Sequence, residues 1–193
     1  MNEKQFDPNM QPLTRIQILI AMGVTAVILL IVAKLWLQVS DVALLAVQWT
    51  FSALFWGIGV ALVIAIASWF VYRVWSGYRR SADFYLELVL KPLHWADLIW
   101  VGLLPGLSEE LLFRGVMLPA FGFDITAVIV SSVCFGVLHL SGTQQWPYVI
   151  WATAVGFLLG CSALYTGNLL VPIVAHTITN LVSSYFWKWE HAQ

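Results

Sequence analysis

Six polar or ionisable residues in the second half of the sequence recur at helical spacing inside apolar segments. They are Glu109, Glu110, Arg114, His139, His176 and Asn180. An ionisable side chain costs about 2.5–3.5 kcal/mol at the centre of a membrane helix, so these groups need a common reason to be there. A carboxylate that takes a proton from water, together with donors that hold an oxyanion, can hydrolyse a carbonyl compound. We therefore expect one shared, partly hydrated site.

The spacing gives the two carboxylates different tasks. Glu110 and Arg114 are four residues apart, so they lie on one helix face and can form an ion pair. Glu109 points about 100° away around the same helix. It is therefore available to a different partner.

The other polar groups pair in the same way on two further helices. His176 and Asn180 are four residues apart, and so are Phe135 and His139. Three helices thus each present one polar face, and bundling would bring an acid, imidazoles and an amide around one small volume.

Composition indicates that these helices lie in a membrane. The chain is 61% hydrophobic and 10% charged, whereas a soluble domain has about 25% charged residues. A net charge of -1 argues against a nucleic-acid partner. We expect an all-α, polytopic membrane helix bundle whose surrounding partner is the lipid bilayer.

Apolar runs predict about six transmembrane helices, because a span needs about 20 mostly apolar residues. We place them at residues 16–37, 51–72, 96–121, 123–140, 147–165 and 168–187. Residues 76–94 are polar and predict a loop plus a short amphipathic surface helix. Pro105 and Gly106 predict a kink or local opening of the third span. Residues 1–94 would then hold two added helices and the surface segment, and residues 95–193 a four-helix catalytic core.

Basic residues predict the orientation. Lys4 and Arg15 precede the first span, a basic cluster separates the second from the third, and Lys188 follows the last. Both termini are therefore expected to be cytoplasmic. The short chain suggests a prokaryotic cytoplasmic (inner) membrane or an organellar membrane.

The motif residues resemble those of the CAAX-processing and bacteriocin-immunity (CPBP) family of intramembrane proteases, which includes the type II CAAX prenyl endopeptidases. EExxxR is present from Glu109 to Arg114, FxxxH from Phe135 to His139, and HxxxN from His176 to Asn180. All three occur in family order on separate predicted helices. The resemblance implies an endopeptidase whose partner is a peptide or membrane-protein substrate, and it suggests a CAAX-like prenylated one.

The same resemblance implies a role for each motif residue. Glu109 would be the catalytic carboxylate, and His139 would help it to activate water. His176 and Asn180 would stabilise the oxyanion. Glu110 and Arg114 would hold the motif helix in place, and Phe135 would pack beside the site.

Two alternatives stay open at this point. His139, His176 and Glu109 could instead bind zinc with an open coordination position. We prefer hydrolysis without a metal cofactor, because Asn180 is a poor zinc ligand and a good oxyanion donor. The chain could also be a non-catalytic immunity or scaffold protein of the membrane that keeps the polar cluster without using it.

Overall fold

The computed structural model describes residues 12–191, and this part of the chain is helical and contains no strand. The predicted all-α bundle is therefore confirmed. Over these residues seven α-helices longer than one turn form the fold: α1 (Arg15–Val39), α2 (Phe51–Val74), α3 (Ser76–Leu90), α4 (Leu98–Glu110), α5 (Ile125–Val137), α6 (Trp146–Thr166) and α7 (Leu170–Glu190).

Three segments of the described chain are long and apolar enough to cross a membrane. They are α1, α2 and Thr143–Thr166, which joins a 3-10 turn to α6. Large apolar side chains such as Ile20 and Phe55 are 59% and 72% exposed on α1 and α2. An apolar surface of this extent requires lipid rather than water, and the chain is an integral membrane protein. The six-span arrangement and the cytoplasmic termini stay predictions, and Lys4 lies outside the described residues.

The polar segment between the second and third predicted spans is almost entirely helix. Only Trp75 lies between the end of α2 and the start of α3. The loop expected within residues 76–94 is therefore reduced to a few residues after Leu90. Tyr78 and Ala82 are buried on one face, as expected of an amphipathic helix. This face packs against α6.

The third predicted span is not one regular helix. α4 continues through Pro105 in α-helical geometry. The backbone instead widens into a π-helix over Leu111–Met117, followed by the turn Leu118–Ala120. The opening expected at Pro105 and Gly106 therefore lies further along, directly after the glutamate pair. π-Helical turns inside α-helices are frequent at functional sites.

A second proline explains how the π-helical segment is anchored. Pro119 has no N–H to donate to the carbonyl of Gly115, four residues earlier. That carbonyl accepts a hydrogen bond from the Leu45 N–H at 2.9 Å. Leu45 belongs to the non-helical segment 41–50 between α1 and α2, which is thereby held against the π-helix.

An ion pair fixes the start of α1 to the turn before α4. Arg15 donates two hydrogen bonds to Asp97, from Nε at 2.6 Å and from Nη2 at 2.7 Å. The Arg15 guanidinium and the His94 N–H, which also donates to Asp97 at 2.7 Å, hold the pKa of that carboxyl well below its usual range. α1 consequently packs along α4, and α2 packs on α7.

Candidate active site

The centre of the cluster is Glu110, whose side chain is fully buried. Its Oε1 accepts a hydrogen bond from Arg114 Nη1 at 2.8 Å and one from His176 Nδ1 at 2.7 Å. The ion pair predicted from the i,i+4 spacing is therefore confirmed. The contact with His176 was not anticipated, and it joins the first motif to the third across α4 and α7.

Arg114 is also fully buried and reaches a third helix. Its Nη2 donates to the carbonyl of Gly156 in α6 at 2.8 Å. A Cβ at position 156 would lie 3.1 Å from this same nitrogen, so glycine permits the approach. The guanidinium also lies 4.6 Å from the centroid of the Phe135 ring in α5, at cation–π distance.

Unlike Glu110, Glu109 accepts no hydrogen bond within residues 12–191. The residue is partly exposed, and its Oε2 is buried with no hydrogen-bond partner within residues 12–191. The carboxylate interacts electrostatically with Arg114, His176 and Tyr148. A carboxylate oxygen that is buried and unpartnered is able to accept a proton from a small molecule in the site.

The second motif brings His139 to the same region. Its Nδ1 lies 2.9 Å from the Phe135 carbonyl, which can only accept, so Nδ1 carries the hydrogen and a neutral ring leaves Nε2 with its lone pair. The Phe135 ring lies 4.8 Å from the His139 ring and 5.7 Å from the His176 ring, measured between centroids. The Phe135 ring therefore packs against both imidazoles.

Asn180 donates a hydrogen bond to a backbone carbonyl that has lost its helical donor because of a proline. Pro105 has no N–H to donate to Val101, and the Val101 carbonyl accepts from Asn180 Nδ2 at 3.4 Å instead. The second Nδ2 hydrogen of Asn180 is available to another acceptor. Asn180 and His176 lie one turn apart on the half-buried face of α7.

Two glycines allow α4 to approach α7 closely enough for these contacts. A Cβ at Gly106 would lie 2.2 Å from Thr177 Oγ1, and one at Gly102 would lie 2.5 Å from Leu181 Cγ. Gly102, Gly106 and Glu110 follow one another at intervals of four residues, so they share a face. Small residues at such spacing are the usual way in which membrane helices pack closely.

The residues of the zinc alternative are not assembled as ligands. Over residues 12–191, no group of three or more His, Cys, Asp or Glu side chains is arranged to hold a metal ion. The Nδ1 atoms of His139 and His176 are both engaged with oxygen acceptors.

Sequence reasoning missed the residues that position the motifs. The Gly102-x-x-x-Gly106 spacing was a usable signal for the α4–α7 contact, and Gly156-x-x-x-Gly160 is its counterpart on α6. Tyr85 carried no such signal, because its contact with the His139 segment joins parts of the chain far apart in sequence.

Comparison with known proteins finds a family model that is similar to the motif region. Residues 91–182 match the family model described as type II CAAX prenyl endopeptidase Rce1-like, and this segment contains all three motifs. The chain is 28% identical over 162 residues to uncharacterized protein YpbD of Bacillus subtilis, an alignment that covers 84% of this chain and 78% of YpbD.

A second relative is the Bacillus subtilis protein named "Putative membrane peptidase YdiL". It is 25% identical over 139 residues, which cover 64% of this chain and 55% of YdiL, so this chain spans little more than half the length of that protein. No solved structure shows a significant similarity to the chain. The resemblance seen in the motifs is confirmed, because residues 91–182 match the Rce1-like family model.

Proposed function

We propose that this protein is an intramembrane endopeptidase that hydrolyses a peptide bond with a water molecule activated by Glu109 and His139. The observation that carries the proposal is the contrast within the glutamate pair. Glu110 is fully buried and its Oε1 accepts from both Arg114 and His176, whereas Glu109 is partly exposed and accepts no hydrogen bond in the described chain. The Oε2 atom of each carboxylate is buried without a partner in that part of the chain. A structural ion pair explains the carboxylate of Glu110, but it gives no reason for the carboxylate of Glu109.

In the proposed reaction, Glu109 takes a proton from water as the water oxygen bonds to the carbonyl carbon of the substrate. The carbonyl electron pair moves to its oxygen, which becomes an oxyanion. Collapse of the tetrahedral intermediate breaks the C–N bond, and Glu109 returns the proton to the leaving amine. His139 Nε2 accepts a hydrogen bond from the attacking water and orients it.

His176 and Asn180 would stabilise the oxyanion. Asn180 offers its second Nδ2 hydrogen. His176 already donates from Nδ1 to Glu110, so it can donate from Nε2 only when both ring nitrogens are protonated. The oxyanion site therefore requires an imidazolium at position 176, a condition that the sequence alone did not reveal.

The substrate would be a peptide or membrane protein that reaches the site from the bilayer or from its cytoplasmic surface. The family description of residues 91–182 makes a prenylated CAAX sequence the first substrate to test. No role proposed here for the motif residues involves binding a lipid or reading a peptide sequence, so the proposal does not depend on prenylation.

The test is a comparison of new protein termini in membranes that contain the wild-type chain or Glu109→Gln. Glu87→Gln is the matched control, because it removes a carboxylate from an exposed i,i+4 pair with Lys91. Cleavages present with the wild type and the control and lost with Glu109→Gln support the proposal. If no cleavage depends on Glu109 and the variant keeps full biological function, the scaffold alternative is correct.

Metal dependence requires its own measurement. We propose that the reaction needs no metal cofactor. The purified protein should contain less than one zinc per chain and should keep its activity after chelation. Zinc bound one to one, with activity lost on stripping and restored by zinc, would contradict this.

A further inference from the structure

We infer that Tyr85, on the amphipathic helix α3, is a positioning residue for His139. The inference rests on the function proposed for His139 and extends it to a residue outside the three motifs. Tyr85 precedes the motif region matched by the family model, which begins at residue 91.

The Tyr85 hydroxyl makes three contacts with the segment that follows α5. It donates to the carbonyl of His139 or to Ser141 Oγ, which lies 2.7 Å away, and it accepts from the Ser141 N–H at 3.1 Å. A single hydroxyl thus binds the main chain on both sides of Leu140. All three contacts join positions more than fifty residues apart in sequence.

These contacts matter because α5 has already ended at this point. α5 runs to Val137, and the N–H groups of His139 and Leu140 bond to Gly136 and Val137 in tighter turns. The carbonyl of His139 lies beyond the helix and has no partner within it. Tyr85 supplies the missing donor, so the backbone that carries the imidazole is fixed by another helix.

The ring of Tyr85 restrains the same region from a second direction. It lies 4.4 Å from the Tyr148 ring, and Tyr148 in turn lies 5.9 Å from the His139 ring, measured between centroids. The His139 ring is oriented from its own helix by the bond between Nδ1 and the Phe135 carbonyl. Release of the backbone by loss of the Tyr85 hydroxyl would leave that bond as the main restraint on Nε2.

The direct test is Tyr85→Phe, which removes the hydroxyl and keeps the ring against Tyr148. Tyr78→Phe is the matched control, because Tyr78 lies on the same helix and also packs on Tyr148, whereas the side-chain hydrogen bonds to residues 139–141 come from Tyr85. We expect Glu109-dependent cleavage to fall roughly 10- to 100-fold in Tyr85→Phe, the effect of misplacing a reacting group by about 1 Å. Cleavage in Tyr78→Phe should stay within about twofold of wild type, as for a change away from the reacting groups.

A double variant separates positioning from a general loss of structure. If Tyr85 acts through His139, adding Tyr85→Phe to His139→Ala should reduce cleavage no further. Multiplying effects would overturn the inference, and so would undiminished cleavage in Tyr85→Phe alone. If His139→Ala cleaves like wild type, the role proposed for His139 is wrong. If cleavage is lost in His139→Ala but not in Tyr85→Phe, the role of His139 stands and only the positioning role of Tyr85 is wrong.

A spectroscopic measurement needs no substrate. The chain has four histidines, so 15N-histidine labelling gives few imidazole signals, and His139→Ala assigns the relevant one. Tyr85→Phe should shift the His139 ring signals and leave those of His176 in place, and Tyr78→Phe should shift neither. Unchanged His139 signals in Tyr85→Phe would refute the contact as a restraint on the ring.

Discussion

Glu109 and Glu110 are adjacent residues of the same type, and the structure predicts opposite outcomes when each carboxylate becomes an amide. Glu110 Oε1 accepts two hydrogen bonds from Arg114 and His176, and the Glu110 and Arg114 side chains are fully buried. Removing one partner of a buried ion pair costs about 3–5 kcal/mol. Gln keeps an oxygen that can accept, so we expect Glu110→Gln to lose about 3 kcal/mol of unfolding free energy.

Glu109→Gln should behave in the reverse way. Its buried Oε2 has no hydrogen-bond partner within the described chain, so a neutral amide breaks no hydrogen bond there and removes a partly buried charge. Stability should equal or slightly exceed that of the wild type. Cleavage should fall by a factor of about 10²–10⁴, the usual contribution of a general base.

The assay is thermal unfolding of both purified variants in one detergent, paired with measurement of Glu109-dependent cleavage. The double variant Glu110→Gln/Arg114→Met serves as the control, because replacing both members of a buried pair by groups of similar volume is often neutral. It should recover most of the stability that Glu110→Gln loses. Equal melting temperatures for Glu110→Gln and wild type, or a destabilised Glu109→Gln, would refute the assignment of the two carboxylates.

Three further predictions follow from the packing. Gly106→Ala places a Cβ 2.2 Å from Thr177 Oγ1 and should lower the unfolding free energy by about 1–3 kcal/mol and reduce activity. Gly59→Ala is the control, because a Cβ at position 59 has nothing within 4 Å and should leave stability and activity unchanged. Similar melting temperatures for the two variants would contradict the close approach of α4 to α7. Pro105→Ala restores an N–H for the Val101 carbonyl, so this carbonyl should no longer bind Asn180. Cleavage should then fall about tenfold, whereas stability should be kept or raised. Undiminished cleavage would show that the bond from Asn180 to Val101 does not position Asn180 for the reaction. Asp97 has a lowered pKa, so its contribution to stability is complete above its unfolded pKa of about 3.9 and is lost as the pH falls towards its folded pKa. Asp97→Asn should therefore be less stable than wild type at pH 7, and the difference should shrink below about pH 4; a pH-independent difference would exclude the ion pair as its source.

The parts of this site that sequence could predict are those governed by helical periodicity. The Glu110–Arg114 ion pair follows from residues four apart, and the bounds of α1, α2, α6 and α7 lie within a few residues of the predicted spans. Periodicity is a local property, so it correctly assigns faces within one helix. It does not say which helix each face meets.

The His176–Glu110 contact shows where this limit falls. The family resemblance of the sequence assigned His176 to the oxyanion together with Asn180. The position of α4 along α7 is set by Gly102 and Gly106, and it brings His176 Nδ1 to the carboxylate of Glu110. Only Nε2 is then left for a substrate, so the proposed role acquires a protonation requirement from a packing contact.

Pro105 in α4 and Pro119 in the turn after the π-helix each leave one backbone carbonyl without its helical hydrogen-bond donor. Pro105 leaves the Val101 carbonyl without its helical donor, and Pro119 does the same to Gly115. In a membrane, where water is scarce, each such carbonyl needs another partner. The structure supplies Asn180 from α7 for the first and Leu45 from the segment 41–50 for the second.

The sequence predicted that a proline would disturb this helix, but it could not identify which group would donate a hydrogen bond to the carbonyl that the proline leaves free. A carbonyl released from its ladder is a fixed acceptor whose position depends only on its own helix, whereas its donor must come from a different element. At Val101 that donor is a side chain proposed to bind the oxyanion, so the defect in α4 also sets the depth of Asn180 in the bundle. A helix without Pro105 would satisfy Val101 internally, and Asn180 would then lose the contact that ties it to the helix of the glutamate pair.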